Sequence, residues 1–408
     1  MKDLYLFLFN FFKKIYYLFK LPFFIFTVFY EFIKLFYFLK KKKINNLYLQ
    51  LEGGFGHTIT TPYILDYYYK NWILIFGYNS KRHNLNIKNI FNNKIYFFNI
   101  NQINSNSKFL HLLFNFFFKI FLKKKILLFE KFYKKLPYNK FNEKDKLYLE
   151  KLESRQFYIF FKNKKKYKIN FLKSKYLDFF KKLNFKRKVK INFYLRIKDK
   201  KNDLQSRNTE NIHFYKNLIL KMFSKGYFVI FTGDYFEIPN WLSKYKSYFL
   251  HPDLINSDYK EYLANVPFFS DLTIGVSSGG ILYNLLSKKP ILLLGCSHFG
   301  FSVPNAVLSY KKIKVKSKKE LSEILKQYYE NYGNEKKIKF YLKKYKFKKL
   351  TKKEVDQIVF DYLSNYKIKK YGTSYKSLQI KSGILRDTQA RISPVWLKMI
   401  NFKKLKKK

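Results

Sequence analysis

The sequence predicts an α/β protein of two doubly wound domains facing across a cleft, preceded by an amphipathic helical segment rich in aromatics and lysine. Three observations carry this. A strand, glycine-rich turn, helix and second strand follow one another at 47–76; short apolar strands alternate with helices between 189 and 294; and 408 residues suffice for two cores. Composition shifts divide the chain into four parts: the helical segment at 1–44, a first Rossmann-like domain at 45–185, a second at 186–345, and C-terminal helices with a basic tail at 346–408.

Residues 1–43 alternate aromatic runs with lysines and end in Lys40 to Lys43; the longest uncharged stretch is Leu21 to Tyr30. A spanning helix needs about 20 apolar residues in succession. Lys20, Glu31 and Lys34 interrupt well before that, so the pattern suits a helix lying in the plane of a membrane surface. A buried helical hairpin is the alternative. No small-residue cleavage site of a signal peptide is visible.

The first domain opens with the strand Leu47 to Leu51, the turn Glu52-Gly53-Gly54-Phe55-Gly56-His57, a helix from Thr58 to Tyr69 and a strand from Trp72 to Phe76. This is a βαβ unit, the building block of a parallel sheet. Phe109 to Phe129 reads as an apolar helix, and 103–185 as the periphery of the first domain.

A clearer rhythm follows in the second domain. Strands are expected at Val189 to Arg196, Tyr227 to Phe231, Tyr248 to Leu250, Leu272 to Val276 and Ile291 to Leu294. Helices are expected at Ile212 to Ser224, stopping at Gly226, and at Ile281 to Ser287. Beyond them, Lys319 to Tyr332 and Lys352 to Tyr366 read as basic helices, and 367–408 as a polar tail.

The formal charge of +56 invites a nucleic-acid reading, because clustered cations release counterions from phosphates. The bias, however, runs along the whole chain. Lys, Phe, Tyr, Asn and Ile abound while arginine stands at only seven positions, the mark of an A+T-rich genome. Nucleic acid is therefore not the expected partner. The charge still favours an anionic membrane surface, where each nearby lysine contributes about 1 kcal/mol. A single cysteine, Cys296, forms no internal disulfide, so a cytoplasmic setting, peripheral on the membrane, is expected.

The turn Ser277-Ser278-Gly279-Gly280 falls between a buried strand and a helix. Amides at a helix start bind anions, glycine admits close approach, and serines add donors, so a diphosphate suits it. The same residues also spell an ordinary serine N-cap. Arg196 ends a strand at the sheet edge where ligands of open α/β folds bind; its fork geometry, in a chain that otherwise uses lysine, favours phosphate contact over a surface ion pair with Asp199. Arg207 and Asn208 follow in a polar loop. His57, in the first βα turn beside Gly54 and Gly56, is the candidate base for activating an acceptor, with Glu52 or Asp66 as alternatives. Asp234, after Thr232-Gly233, is a second-domain candidate for that role. No zinc spacing, nucleophile elbow or Walker loop is present, so neither metal nor other cofactor is expected.

In order along the chain, these turns resemble a family of bacterial GT-B-fold glycosyltransferases associated with surface-polysaccharide genes. Phe55-Gly56-His57-Thr58-Ile59 is similar to its Gly-His-Leu/Ile turn. Arg207-Asn208-Thr209 with Ile212 and Tyr215 resembles its Arg-Asn-Ser-x-Ile-x-x-Tyr stretch. Gly226 to Ile230 with Gly233-Asp234 resembles its Gly-Tyr-x-Val-Ile-Arg-Met-Gly-Asp segment, and Gly275-Val276-Ser277-Ser278-Gly279 its Gly-x-Ser-Ser-Gly turn. Tyr194 stands where the family has the His of a His-x-Arg, and Phe231 where it has Arg.

The resemblance implies a GT-B-like pair of domains and a nucleotide-sugar donor held mainly by the second. It also implies a glycan or lipid-linked acceptor, and metal-independent transfer in which Arg196 and the helix terminus offset diphosphate charge. Two other readings remain: a basic binding protein for RNA or anionic polymer, and a degenerate membrane-associated scaffold.

Overall fold

The computed structural model describes residues 26–40, 46–51, 57–78, 84–99, 112–117, 119, 127–128, 167, 189–197, 210–256, 258–276, 279–296, 306–313, 315, 317, 319–321, 323–324, 340, 343–345, 348–368, 370–374 and 390–400. The chain falls into two compact units, Met1–Leu136 and Pro137–Lys408. The boundary lies upstream of the 185/186 division expected from sequence. Tyr167 belongs with the second unit, its amide donating to the Leu286 carbonyl at 2.9 Å.

The first unit is built on a parallel sheet of β1 (Asn46–Gln50), β2 (Trp72–Tyr78), β3 (Ile95–Asn99) and β4 (Leu127–Leu128), in the order β3-β2-β1-β4. Helix His57–Tyr68 makes the crossover from β1 to β2, confirming the expected βαβ unit. The expected helix over Phe109 to Phe129 is corrected. Helix is present at 112–117, but Leu127–Leu128 is a strand paired with Tyr48 and Leu49. Pairing gives β1 a second neighbour, and the Lys123 to Lys125 run separates the two elements.

Helix 26–40 buries Val28, Phe32, Leu35 and Leu39 in the core of this unit, against Leu47, Leu49, Ile73, Ile75 and Phe98. The spacing of the four is one helical stripe, and the alternate residues of β1 and β2 are one sheet face.

The second unit holds β5 (Lys190–Leu195), β6 (Phe228–Gly233), β7 (Phe249–Leu250), β8 (Leu272–Val276), β9 (Ile291–Cys296), β10 (Ala306–Tyr310), β11 (Thr373–Ser374) and β12 (Arg391–Ile392). Their order is β11-β12-β10-β9-β8-β5-β6-β7, every pair parallel except β11 with β12. The alternation predicted from sequence is therefore present. Strands β8, β9 and β10 are buried along their full length, which is why β8 and β9 read as largely apolar runs.

Across the centre of this sheet runs a polar ladder. Asn192 Nδ2 donates to Thr273 Oγ1 at 3.2 Å, and Thr232 Oγ1 donates to Asn192 Oδ1 at 2.5 Å. The other face of β5 and β6 is aromatic, with Phe193 edge-on to Tyr215 at 5.3 Å and Phe231 edge-on to Phe236 at 5.3 Å.

Strands β10 to β12 were not legible as strands. The tail that reads as polar returns to the sheet through β12 and ends in helix Pro394–Met399, whose buried Trp396 meets Tyr310 at 5.2 Å. The two-residue strands β11 and β12 leave almost no periodic signal. Helix Lys352–Asn365 is as expected, opened by a capping box between Thr351 and Glu354.

Candidate functional site

The strand order of the second unit has one switch point. From β5 the chain goes outward through β6 and β7, then returns to the other side of β5 for β8, β9 and β10. Strand order thus reverses between β5 and β8, and the crevice beyond their carboxyl ends is the usual ligand position in open α/β sheets. Arg196 follows the end of β5, and Ser277 and Gly280 follow the end of β8.

Arg196 is held from one side. Its Nε lies 3.6 Å from Asp234 Oδ2, and the side chain is 20% exposed. The same Asp234 oxygen accepts the Ile197 amide at 3.0 Å, while the Asp234 amide donates to the Leu195 carbonyl at 3.0 Å. The expected partner Asp199 lies outside the described residues. Asp234 therefore fastens the end of β6 to the end of β5 and aims the guanidinium.

Gly233 makes this junction possible. Its φ is +105°, and a Cβ there would lie 1.9 Å from the Leu195 carbonyl oxygen. The Tyr259 hydroxyl donates to the Gly233 carbonyl. Burial raises the Tyr259 pKa, with the nearby Tyr194 and Asp234 adding to the rise and Arg196 opposing it, so the phenol stays a donor.

Tyr194 fills the space between β5 and the turn after β8. A Cβ on Gly275 would lie 2.6 Å from Tyr194 Cβ, and one on Gly280 would lie 2.4 Å from the Tyr194 hydroxyl oxygen. The ring is thus seated by two glycines, with its hydroxyl at the turn. From sequence Tyr194 stood out only as a departure, and Gly275 and Gly280 were read for a phosphate turn rather than as the seat of its ring. Phe231, the other departure, is a core residue, packed against Phe193, Phe236 and Phe249.

Ser277 and Ser278, like Arg207, Asn208, Gly54 and Gly56, lie outside the described residues. The segment after them differs from the expected helix: Gly279–Leu282 is a 3-10 turn that runs into a short α-helix, Tyr283–Ser287. So short an element has little macrodipole, which leaves Arg196 as the strong positive group described at this edge.

In the first unit, β1 ends at Gln50 and His57 begins the following helix. Asp66, an alternative base, is committed elsewhere: its Oδ1 accepts from Trp72 Nε1 and from Lys94 Nζ, both at 3.1 Å. Among the described residues no group of three or more His, Cys, Asp or Glu is placed to hold a metal ion. Among them, too, no helix is long and apolar enough to cross a membrane.

No protein-family model matches the chain, and no curated protein matches it. Several solved structures do. E. coli heptosyltransferase WaaC with ADP is similar at 10% identity and a TM-score of 0.39, over 79% of this chain and 99% of that one. The glycosyl transferase family 9 structure from Veillonella parvula is similar at 11% identity and a TM-score of 0.40, over 78% and 97%. Anabaena HepE in complex with UDP and glucose aligns at 10% identity and a TM-score of 0.27, over 79% and 100%.

Proposed function

We propose that this protein is a metal-independent glycosyltransferase that moves a sugar from a nucleotide-sugar donor to a cell-surface polysaccharide or lipid-linked acceptor. The observation that carries the reading is the arginine at the switch point: Arg196, aimed by Asp234, beside the glycine turn on which Tyr194 rests. A forked cation and a glycine-lined backbone at that crevice are the groups a diphosphate needs.

In this reading the acceptor hydroxyl attacks the anomeric carbon while the bond from that carbon to the diphosphate oxygen breaks. The hydroxyl proton passes to a general base, the role the sequence reading gives to His57, and the diphosphate leaves with its added negative charge, which Arg196 of the second unit is suited to offset. Asp234, the other candidate base, is instead Arg196's holder, because its carboxylate already serves the Ile197 amide and the guanidinium. The transfer takes place at the cytoplasmic face of an anionic membrane.

The test is calorimetry of the purified protein against UDP-, GDP-, ADP- and CMP-sugars. Saturable binding of one class, weakened in Arg196→Ala, supports the reading. Binding of RNA or anionic polymer alone, steep in salt and indifferent to Arg196, replaces it with the binding-protein reading.

A further inference from the structure

We infer that the outward face of helix 26–40, with the neighbouring helix at 112–117, is the surface by which the folded first unit lies on an anionic lipid bilayer; this rests on the membrane part of the proposed function. The helix uses one stripe for the core, as described, yet its opposite stripe is also apolar. Phe26 is 68% exposed, Phe29 59% and Tyr37 62%, with Tyr30 and Ile33 exposed between them. Positions 26, 29, 30, 33 and 37 follow helical spacing, so they share one face.

The neighbouring helix repeats the arrangement. Phe114 and Phe117 pack on Phe32 at 4.8 and 4.3 Å, while Leu112 and Phe116 are 67% and 66% exposed. Exposed apolar surface gathered in this way marks an interaction site.

Charge selects the occupant. Glu31, the one acid of helix 26–40, is buried and tied to Lys34 and the Tyr96 hydroxyl. The outward face carries exposed Lys34 and Lys40 and no acid. A second copy of a chain of formal charge +56 is repelled, whereas an anionic bilayer is attracted. Phenyl and phenol rings interleaved with lysines suit the headgroup boundary, where rings enter the acyl edge and amines stay among phosphates.

The experiment uses the full chain with phosphatidylcholine/phosphatidylglycerol vesicles carrying brominated acyl chains, at a salt concentration that screens general lysine adsorption. Phe29→Trp is expected to add fluorescence that shifts blue and is quenched by the bromines. The triple variant Phe26→Ser, Phe29→Ser, Tyr37→Ser is expected to partition at least tenfold more weakly with an unchanged thermal melt. An unquenched indole, a triple variant that binds like the parent, or a concentration-dependent dimer formed through this face overturns the inference. Nucleotide binding, read in the same samples, reports on the second unit, so either proposal can fail alone.

Discussion

Tyr194 and Gly280 share one volume: the tyrosine hydroxyl lies where a side chain on Gly280 would begin, 2.4 Å from the position of its Cβ. Tyr194 lies near the end of β5 and Gly280 in the turn after β8, so their contact packs the end of β5 against that turn.

Gly280→Ala is therefore expected to destabilise the protein by about 1–3 kcal/mol, the usual cost of overpacking a filled site. Tyr194 cannot retreat at its base, because Gly275 already makes room for its Cβ. In a Tyr194→Leu background the added methyl meets no hydroxyl, and the cost should shrink. A double-mutant cycle by denaturant unfolding measures this; strict additivity would show that the two residues do not compete.

Asp234→Asn should weaken nucleotide binding less than Arg196→Ala does, because the amide still accepts from Ile197 but no longer attracts the guanidinium. For Arg196→Ala the expected loss is about 1.5–3 kcal/mol, the range of hydrogen bonds to charged groups. If Asp234 only positions Arg196, the pH–rate profile of Asp234→Asn keeps both limbs. A lost acidic limb would make Asp234 the base, because a base is silenced by protonation at low pH.

Asn192 lies between Thr232 and Thr273 in the buried ladder. Asn192→Ala removes the acceptor of the Thr232 hydroxyl and should cost about 1–3 kcal/mol without changing the sheet. Chemical denaturation compared with circular dichroism checks both parts.

His251 is buried after β7, its Nδ1 accepting the Asp253 amide at 3.4 Å and its ring edge-on to Phe236. Burial lowers its pKa below the usual 6.5, against the opposing pull of Asp253 and of its bond to the Phe236 backbone. The unfolded chain therefore binds the proton more readily than the folded one. Stability from this group is complete above about pH 6.5 and falls as pH drops below it, until the lower folded pKa is passed. Thermal melts between pH 7.5 and 5 should show that decline, and His251→Gln should flatten it.

Much of this architecture was legible because the strands are buried on both faces. Ile291–Cys296 is an apolar run between Pro290 and Ser297, Leu272–Val276 is interrupted only by the buried Thr273 and ends before Ser277, and Asn46–Gln50 precedes a glycine-rich turn. What was hidden depends on pairing. Leu127–Leu128 and Arg391–Ile392 are strands only because β1 and β10 offer edges to them. Arg196 and Asp234 were each visible as a polar residue at a strand end. Their partnership was not, because 38 positions separate them in sequence and only the parallel register of β5 and β6 brings them together. The stripe on helix 26–40 was likewise read as amphipathic, although both of its faces are apolar and one is core.

The most direct test of the central claim is titration of the folded protein and its Arg196→Ala variant with the four classes of nucleotide-sugar. Saturable, one-to-one binding of one class, weakened roughly 10- to 100-fold in the variant at an unchanged melting temperature, is the predicted result. Equal affinity of parent and variant, or no saturable binding of any class, would contradict it.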